Sequence, residues 1–178
     1  LLSNLYSINT LTVSSISDDG NGNASFTLGY DFQEDVAGFQ FDFLSDGLFT
    51  LTEAEGGACE NAGFMISTGA TGSVIGFSLS GAVIPAGSGV FLILTGTYNT
   101  VYNGTLVTLY AVEDCTSDGD PACDSDDTRM VLSNANAQLV ESEFIPVCWT
   151  VGNSGLYNGV CDNTGCTDEN ACNYDSEA

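Results

Sequence analysis

The sequence contains neither lysine nor histidine, and Arg129 is its single basic residue. Its 24 aspartates and glutamates therefore leave a formal net charge of -23 at neutral pH. Because so negative a surface repels nucleic-acid phosphates and anionic lipid headgroups, we expect no nucleic-acid partner and no binding to a membrane surface. The sequence also lacks an apolar run near the roughly 18 residues that a membrane-spanning helix needs, so we expect no membrane insertion.

The missing histidine and lysine also restrict the possible chemistry. The general acids and bases that remain near neutral pH are carboxyl groups with a raised pKa, as in glycoside hydrolysis. The acidic residues here lie mostly in turn-rich stretches, where water keeps them ionised, and no Gly-x-Ser-x-Gly motif is present. Trp149, the lone tryptophan, does not make an aromatic sugar platform by itself. We therefore expect the protein not to be an enzyme.

Apolar residues alternate with polar ones through most of the chain. In GFQFDF, for example, Phe39, Phe41 and Phe43 share one face of an extended segment, as a β-strand period of two requires. Turn formers such as SDDGNGN and IPAGSG separate the alternating segments. Hydrophobic residues make up 43% of the chain, enough to bury a core despite the charge. The pattern predicts an all-β, antiparallel two-sheet sandwich.

The order of strands and turns over roughly residues 5–145 resembles the cohesin-type β-sandwich of extracellular bacterial proteins. The resemblance rests on a GFQFDF strand, a VIGFSLSG strand and the IPAGSGVF opening of the next strand. It implies a jelly-roll or immunoglobulin-like sandwich with a non-catalytic role in assembly or adhesion, outside the cell or at its surface. It does not imply dockerin binding, because no dockerin-contacting residue can be matched one by one.

Six of the seven cysteines lie at or beyond residue 115, among many Asp, Asn and Gly residues. Clustered cysteines form disulfides or bind zinc, and the lack of CxxC pairs and of histidine favours disulfides. Alternation stops after residue 145, which predicts a sandwich domain at 17–145 and an irregular, disulfide-tied tail at 146–178. The local pairings that we expect first are Cys115 with Cys123, Cys148 with Cys161, and Cys166 with Cys172.

The last 14 residues, GCTDENACNYDSEA, resemble the opening of a short repeat in secreted proteins of aquatic bacteria and in some virion proteins of their phages. In that repeat an acidic DDGSC segment follows and supplies a further cysteine. The resemblance therefore implies that the chain continues past residue 178 and offers Cys166 or Cys172 a partner there.

The segment EDCTSDGDPACDSDDT is the strongest candidate for a metal site. Carboxylate oxygens are the hard ligands that calcium prefers, and a bridge between Cys115 and Cys123 would hold the loop in shape. The alternative is a solvated acidic loop, since the residue order of an EF-hand is absent. The expected calcium ligands are Asp114, Asp118, Asp120, Asp124, Asp126 and Asp127.

Two Asn-x-Ser/Thr triplets predict glycosylation at Asn23 and Asn103. Both triplets lie at turns beside predicted strands, where a sugar would shield an exposed sheet edge. Such triplets also arise by chance in a chain rich in serine and threonine.

The first 17 residues, LLSNLYSINTLTVSSIS, are uncharged and prone to form a strand. Residues 1–16 are the first strand of the sandwich in one interpretation. In the other, residues 1–8 complete a sheet edge in a neighbouring copy by strand donation. A head-to-tail contact of that kind does not close and builds a filament. Its contact residues would be Leu1, Leu2, Leu5, Tyr6 and Ile8.

The favoured function from sequence is a structural subunit of an extracellular filament or surface assembly. One alternative is a cohesin-like or carbohydrate-binding adhesion module of a larger secreted protein, with a protein or a glycan as partner. A third is a decoration or fibre protein of a phage. All three are non-catalytic, and none requires a cofactor other than structural calcium.

Overall fold

The computed structural model describes residues 8–69, 72–112 and 130–157. Within these ranges the chain is built mainly from short strands, as the period-two pattern predicts. The strands are β1 (Asn9–Asp18), β2 (Asn23–Phe32), β3 (Gly38–Leu44), β4 (Phe49–Glu55), β5 (Met65–Thr68), β6 (Ser73–Phe77), β7 (Gly87–Tyr98), β8 (Leu106–Val112), β9 (Val131–Ser133), β10 (Leu139–Val140), β11 (Ser142–Ile145), β12 (Val147–Thr150) and β13 (Leu156–Tyr157). A short helix, α1 (Gly57–Asn61), and a 3-10 turn (Thr100–Tyr102) complete the elements.

The strands form two sheets. The first sheet has the order β11-β1-β2-β7-β4. In the second, β5 pairs with β6 and β6 with β3, and the other edge of β3 pairs first with β9 and then with β8. The path continues from β8 to β12 and β13. All these pairings are antiparallel except β1 with β11, which is parallel. This arrangement confirms the predicted two-sheet sandwich.

Aromatic side chains from both sheets meet in the core. Phe26 of β2 has its ring centroid 5.4 Å from Phe43 of β3 and 5.1 Å from Trp149 of β12. The ring centroids of Phe91 in β7 and Phe39 in β3 lie 4.8 Å apart. Each fully buried large apolar side chain contributes roughly 1.5–3 kcal/mol, so these inner faces supply the main attraction between the sheets.

The second sheet extends past residue 145, where the sequence pattern places the start of an irregular tail. Strand β12 pairs with β8, and Trp149 is fully buried in the core. The alternation is missing because Cys148 and Trp149 are adjacent and both are buried, so β12 has an apolar, covered residue on each face. The sandwich therefore includes residues that the sequence assigned to the tail.

Two further segments differ from or extend the sequence prediction. Strand β1 pairs with β2 and β11 of its own chain from Asn9 onward. Residues 1–7 lie outside the described ranges, so strand donation by residues 1–8 stays a prediction. The glycine-containing EGGACEN segment between β4 and β5 contains α1, which begins after Gly56 at a φ of 79°. Gly57 brings α1 close to β7, since a Cβ there would lie 2.4 Å from the carbonyl oxygen of Phe91.

A glycine in β6 permits the tight packing between β6 and β3. A Cβ built on Gly76 would lie 2.2 Å from two ring carbons of the buried Phe39. Replacing Gly76 by alanine therefore forces Phe39 or the β6 backbone to move. We expect Gly76→Ala to lower the free energy of unfolding by about 2 kcal/mol, measured by urea denaturation.

The matched control is Gly155→Ala, because a Cβ there meets its nearest atom, Asn153 Oδ1, at 3.4 Å. The control should change the free energy of unfolding by less than about 0.5 kcal/mol. Equal stabilities for the two variants would contradict the close contact between Gly76 and Phe39.

Candidate binding face

The outer face of the second sheet carries three exposed apolar side chains at one end. Phe77 of β6 lies opposite Met65 of β5, and Ile75 is the next outward residue along β6. Met65 is 53% exposed, Phe77 44% and Ile75 38%. We call Met65, Ile75 and Phe77 the apolar patch. Leu79, just after β6, adds a further apolar side chain that is 78% exposed.

The patch is a consequence of the strand period. Val74 is fully buried and Gly76 packs against Phe39, so the two residues fix the inner face of β6. Ile75 and Phe77 then point outward, because successive side chains in a strand alternate between faces. A one-residue shift would bury them but would expel Val74 from the core. The packing of Val74 and Gly76 in the core therefore leaves Ile75 and Phe77 exposed to water.

Uncharged residues surround the patch within the sheet. Ser67 and Gln40 lie beside Ile75 on β5 and β3, and Gly38 lies beside Phe77. The first carboxylates along β3 are those of Asp42 and, in the following turn, Asp46. In a chain with a net charge of -23, the residues paired with the patch are therefore all uncharged, and the acidic residues at this end, Glu34 and Asp35, lie ahead of β3.

The other end of the same face is acidic. Tyr110 of β8 lies opposite Leu44 of β3, and both are partly buried. Burial raises the pKa of Tyr110, and the negative charge of Asp46 raises it further. The face therefore has exposed apolar side chains at its β5–β6 end and the carboxylate of Asp46 near its other end.

Asp18 joins the strand ends at the edge of the sandwich far from the patch. Its Oδ1 accepts hydrogen bonds from Tyr98 Oη at 2.6 Å and from the Gly20 backbone N–H at 2.8 Å. Its Oδ2 accepts from Trp149 Nε1 at 3.1 Å and from the Gly152 backbone N–H at 2.8 Å. One carboxylate therefore connects β1, β7 and β12, which is a structural role.

The two predicted glycosylation sites lie near Asp18, on neighbouring turns. Asn23 is exposed, and its Nδ2 donates to Asp19 Oδ2 at 2.7 Å. This bond and backbone bonds from Asn23 and Asn21 hold the pKa of Asp19 below its usual value. Asn103 is also exposed, and its Nδ2 donates to the Gly20 carbonyl oxygen at 3.1 Å. Glycosylation at both positions stays a prediction.

Most other predicted site residues lie outside the described ranges. These are the six aspartates of the proposed calcium loop, the contact residues at positions 1, 2, 5 and 6, and the cysteines at 115, 123, 161, 166 and 172. Ile8 is described and is partly buried ahead of β1. Among residues 8–69, 72–112 and 130–157, no cluster of three or more acidic, Cys or His side chains is arranged to hold a metal ion.

Two cysteines fall within the described ranges. Cys148 is buried and disulfide-bonded, while its predicted pairing with Cys161 falls outside those ranges. Cys59 of α1 is a buried free thiol, and burial raises its pKa. In the part of the chain that is described, no helix is long and apolar enough to span a bilayer.

The apolar patch is not evident from the sequence pattern. The only signal for it is the consecutive apolar pair Val74–Ile75 followed by Phe77, which gives β6 apolar residues on both faces. That pattern also suits a strand covered on both sides within one chain. The strand order decides between the two, because β6 has its outer face uncovered among the described residues.

The fold is similar to that of solved cohesin domains. A non-cellulosomal cohesin from the archaeon Archaeoglobus fulgidus matches with a TM-score of 0.57 and 11% identity, over 82% of this chain and 91% of its own. The seventh ScaB type I cohesin from Pseudobacteroides cellulosolvens matches with a TM-score of 0.56 and 13% identity, over 86% and 97%. The sixth cohesin of scaffoldin B from Acetivibrio cellulolyticus, solved with a dockerin, matches with a TM-score of 0.57 and 10% identity. The match covers 82% of this chain and 99% of that cohesin.

No protein-family model and no curated protein sequence matches the chain. The matches to solved structures, by contrast, confirm the cohesin-like β-sandwich that the sequence motifs indicated.

Replacing Asp18 by asparagine tests the structural role of its carboxylate. The amide NH2 group of asparagine would face N–H donors where Asp18 now accepts, so we expect Asp18→Asn to lower the free energy of unfolding by about 2 kcal/mol. Asp46→Asn, which removes the same charge at an exposed turn, should leave the stability within about 0.5 kcal/mol of wild type.

The same variant has a spectroscopic signature. Burial and the hydrogen bond to Asp18 raise the pKa of Tyr98 from 10.0 to about 12. Because the folded state holds this proton more tightly, the resulting stabilisation is complete below pH 10 and is lost as the pH rises through about 12. Ultraviolet titrations of the two folded proteins should show a lower pKa for Tyr98 in Asp18→Asn than in the wild type. An unchanged titration would contradict the bond between Tyr98 and Asp18.

Proposed function

We propose that this protein is a non-catalytic, protein-binding module of the cohesin type that acts outside the cell or at its surface. Its binding face is the outer face of the second sheet, centred on Met65, Ile75 and Phe77. The observation that carries the proposal is the exposure of these three apolar residues, in one cluster, on an otherwise strongly acidic chain.

The exposed cluster matches the chemistry of a protein interface. Soluble proteins seldom leave large apolar side chains clustered in water unless a partner covers them. An aromatic residue near the middle of such a cluster is the commonest type of anchor, and Phe77 has Met65 and Ile75 as its neighbours. The uncharged residues around it let a partner approach without desolvating a carboxylate.

The solved neighbours support a protein as the partner. Several of them are cohesins crystallised with a dockerin, including the scaffoldin B cohesin and a Clostridium thermocellum cohesin called Coh-OlpA. Identities of 10–18% transfer the fold and not the contact residues. We therefore propose a protein ligand for this face and do not assign it to the dockerin class.

The described residues offer little support for catalysis. The chain lacks histidine and lysine, and Asp18, whose carboxylate accepts four hydrogen bonds, ties strand ends together. A disulfide at Cys148 fits an oxidising compartment, and thus a location outside the cytoplasm. Both features agree with a secreted binding module.

The filament subunit and the phage decoration protein remain predictions from sequence. The described residues give no specific support to either, since the segment proposed for donation lies almost wholly outside them. Negative-stain microscopy of the native protein separates the proposals, because a filament subunit gives continuous fibres whereas a binding module gives isolated particles.

The binding face is tested with selected protein ligands. Binders would be selected against the wild-type chain from a displayed library of dockerin and other small secreted domains. We expect Phe77→Asp to weaken these binders by at least about thirtyfold, because it places a charge in the centre of an apolar contact. Binding would be measured by calorimetry, and folding by circular dichroism.

The control is Val101→Asp, which adds the same charge at an apolar side chain that is 74% exposed on the 3-10 turn. It should leave the affinities unchanged. Binders that tolerate Phe77→Asp but are lost on Val101→Asp would show that the functional surface lies elsewhere.

A further inference from the structure

A cleft opens on one side of the sandwich, between the edge strands of the two sheets. Strand β4 ends the first sheet, and β5 ends the branch of the second sheet that runs through β6. The cleft between them has a volume of about 420 Å³, and Glu60 of α1 is part of its lining. Its lining includes Glu55, Glu60, Gly63, Phe64 and Ile66.

The floor of the cleft is apolar. Phe64 is 8% exposed, and its ring stacks on that of Phe39 with centroids 6.2 Å apart and planes 12° from parallel. Ile66 packs against the core from β5. The space beside Gly63 is open, since a Cβ there would meet no atom within 4 Å. The floor can therefore cover an aliphatic chain from a ligand.

The rim of the cleft is acidic. Glu55 at the end of β4 and Glu60 in α1 are both exposed and both line the cleft. The described residues include no lysine, arginine or histidine, so no described side chain carries a positive charge that could offset these two carboxylates. A ligand that brings a positive charge to this rim gains two attractive interactions.

The walls of the cleft are strand edges that have no pairing partner among residues 8–69, 72–112 and 130–157. Strand β5 pairs with β6 on one edge, and β4 pairs with β7 on one edge. A free edge presents a row of backbone N–H and C=O groups to any extended segment. Strand β5 has the sequence MIST and carries neither a charge nor a proline, the usual features that prevent edge pairing.

We propose that the cleft binds an extended segment of a partner protein, which adds a strand to the free edge of β5 and places a lysine or arginine between Glu55 and Glu60. The aliphatic stem of that side chain lies over Phe64, while its charged end reaches the carboxylates. Alternate residues of the segment face the cleft, so one basic and one apolar residue two positions apart fill it.

Charge decides against a second copy of this chain as the occupant. The chain has one basic residue, Arg129, and it directly follows the acidic segment DSDDT. Docking that segment would bring several carboxylates to a rim that already holds two. A segment from a different, more basic protein avoids this repulsion.

This site is separate from the apolar patch, although both use β5. Met65 points to the outer face of the sheet, whereas Ile66 points inward to the cleft. A partner can therefore occupy the cleft without covering the apolar patch.

The experiment uses pools of heptapeptides with a fixed central residue and random neighbours. Pools centred on lysine, arginine, alanine or glutamate would be immobilised and probed with the full chain. We expect the lysine and arginine pools to bind best, and binding to fall about tenfold for the double variant Glu55→Gln/Glu60→Gln. Peptides from the bound pools, resynthesised with N-methyl groups on alternate backbone nitrogens, should lose binding because they cannot pair with β5.

The control variant is Val101→Asp on the 3-10 turn, which should leave peptide binding unchanged. Phe77→Asp places a charge in the apolar patch and tests whether the peptides bind the outer face instead. Equal binding of the glutamate and lysine pools would overturn the proposal, and so would full binding by the double glutamine variant. Loss of binding in Phe77→Asp alone would assign the peptides to the outer face and overturn the cleft site. Since both glutamates are exposed, circular dichroism should show that the double variant folds normally.

Discussion

The packing of aromatic rings from the two sheets against one another is the interaction on which the rest of the structure depends. Phe26 of the first sheet contacts Phe43 and Trp149 of the second, and Phe91 contacts Phe39. These contacts fix which face of each strand points inward. Because strand side chains alternate, they also fix which residues stay in water, and Ile75 and Phe77 are among those.

The sequence predicts the class of the fold well and its edges poorly. Period-two segments such as GFQFDF identify strands because one face of each is buried. The sequence does not predict β12, since adjacent buried Cys148 and Trp149 erase the alternation, or α1, which occupies a glycine-rich turn. The apolar patch and the cleft both depend on which strands lie at an edge, and strand order is a long-range property that local patterns do not contain.

The two proposed sites differ in charge on an extremely acidic chain. Uncharged residues pair with the apolar patch, and in the proposed function that surface binds a partner through desolvation of Phe77 and its neighbours. The cleft has the opposite character, because Glu55 and Glu60 border its apolar floor and favour a basic side chain. Strand β5 contributes to both proposed sites, with Met65 on the outer face and Ile66 in the cleft.

The most direct test of this account is the fluorescence of Trp149, the single tryptophan, in the native protein. Its indole lies in the core, in contact with Phe26, and its Nε1 donates a hydrogen bond to Asp18. Its emission should therefore be blue-shifted, resist quenching by acrylamide, and shift to the red when guanidinium unfolds the chain. A native spectrum that is already red-shifted and fully quenched would place Trp149 in an irregular tail and contradict the closed sandwich.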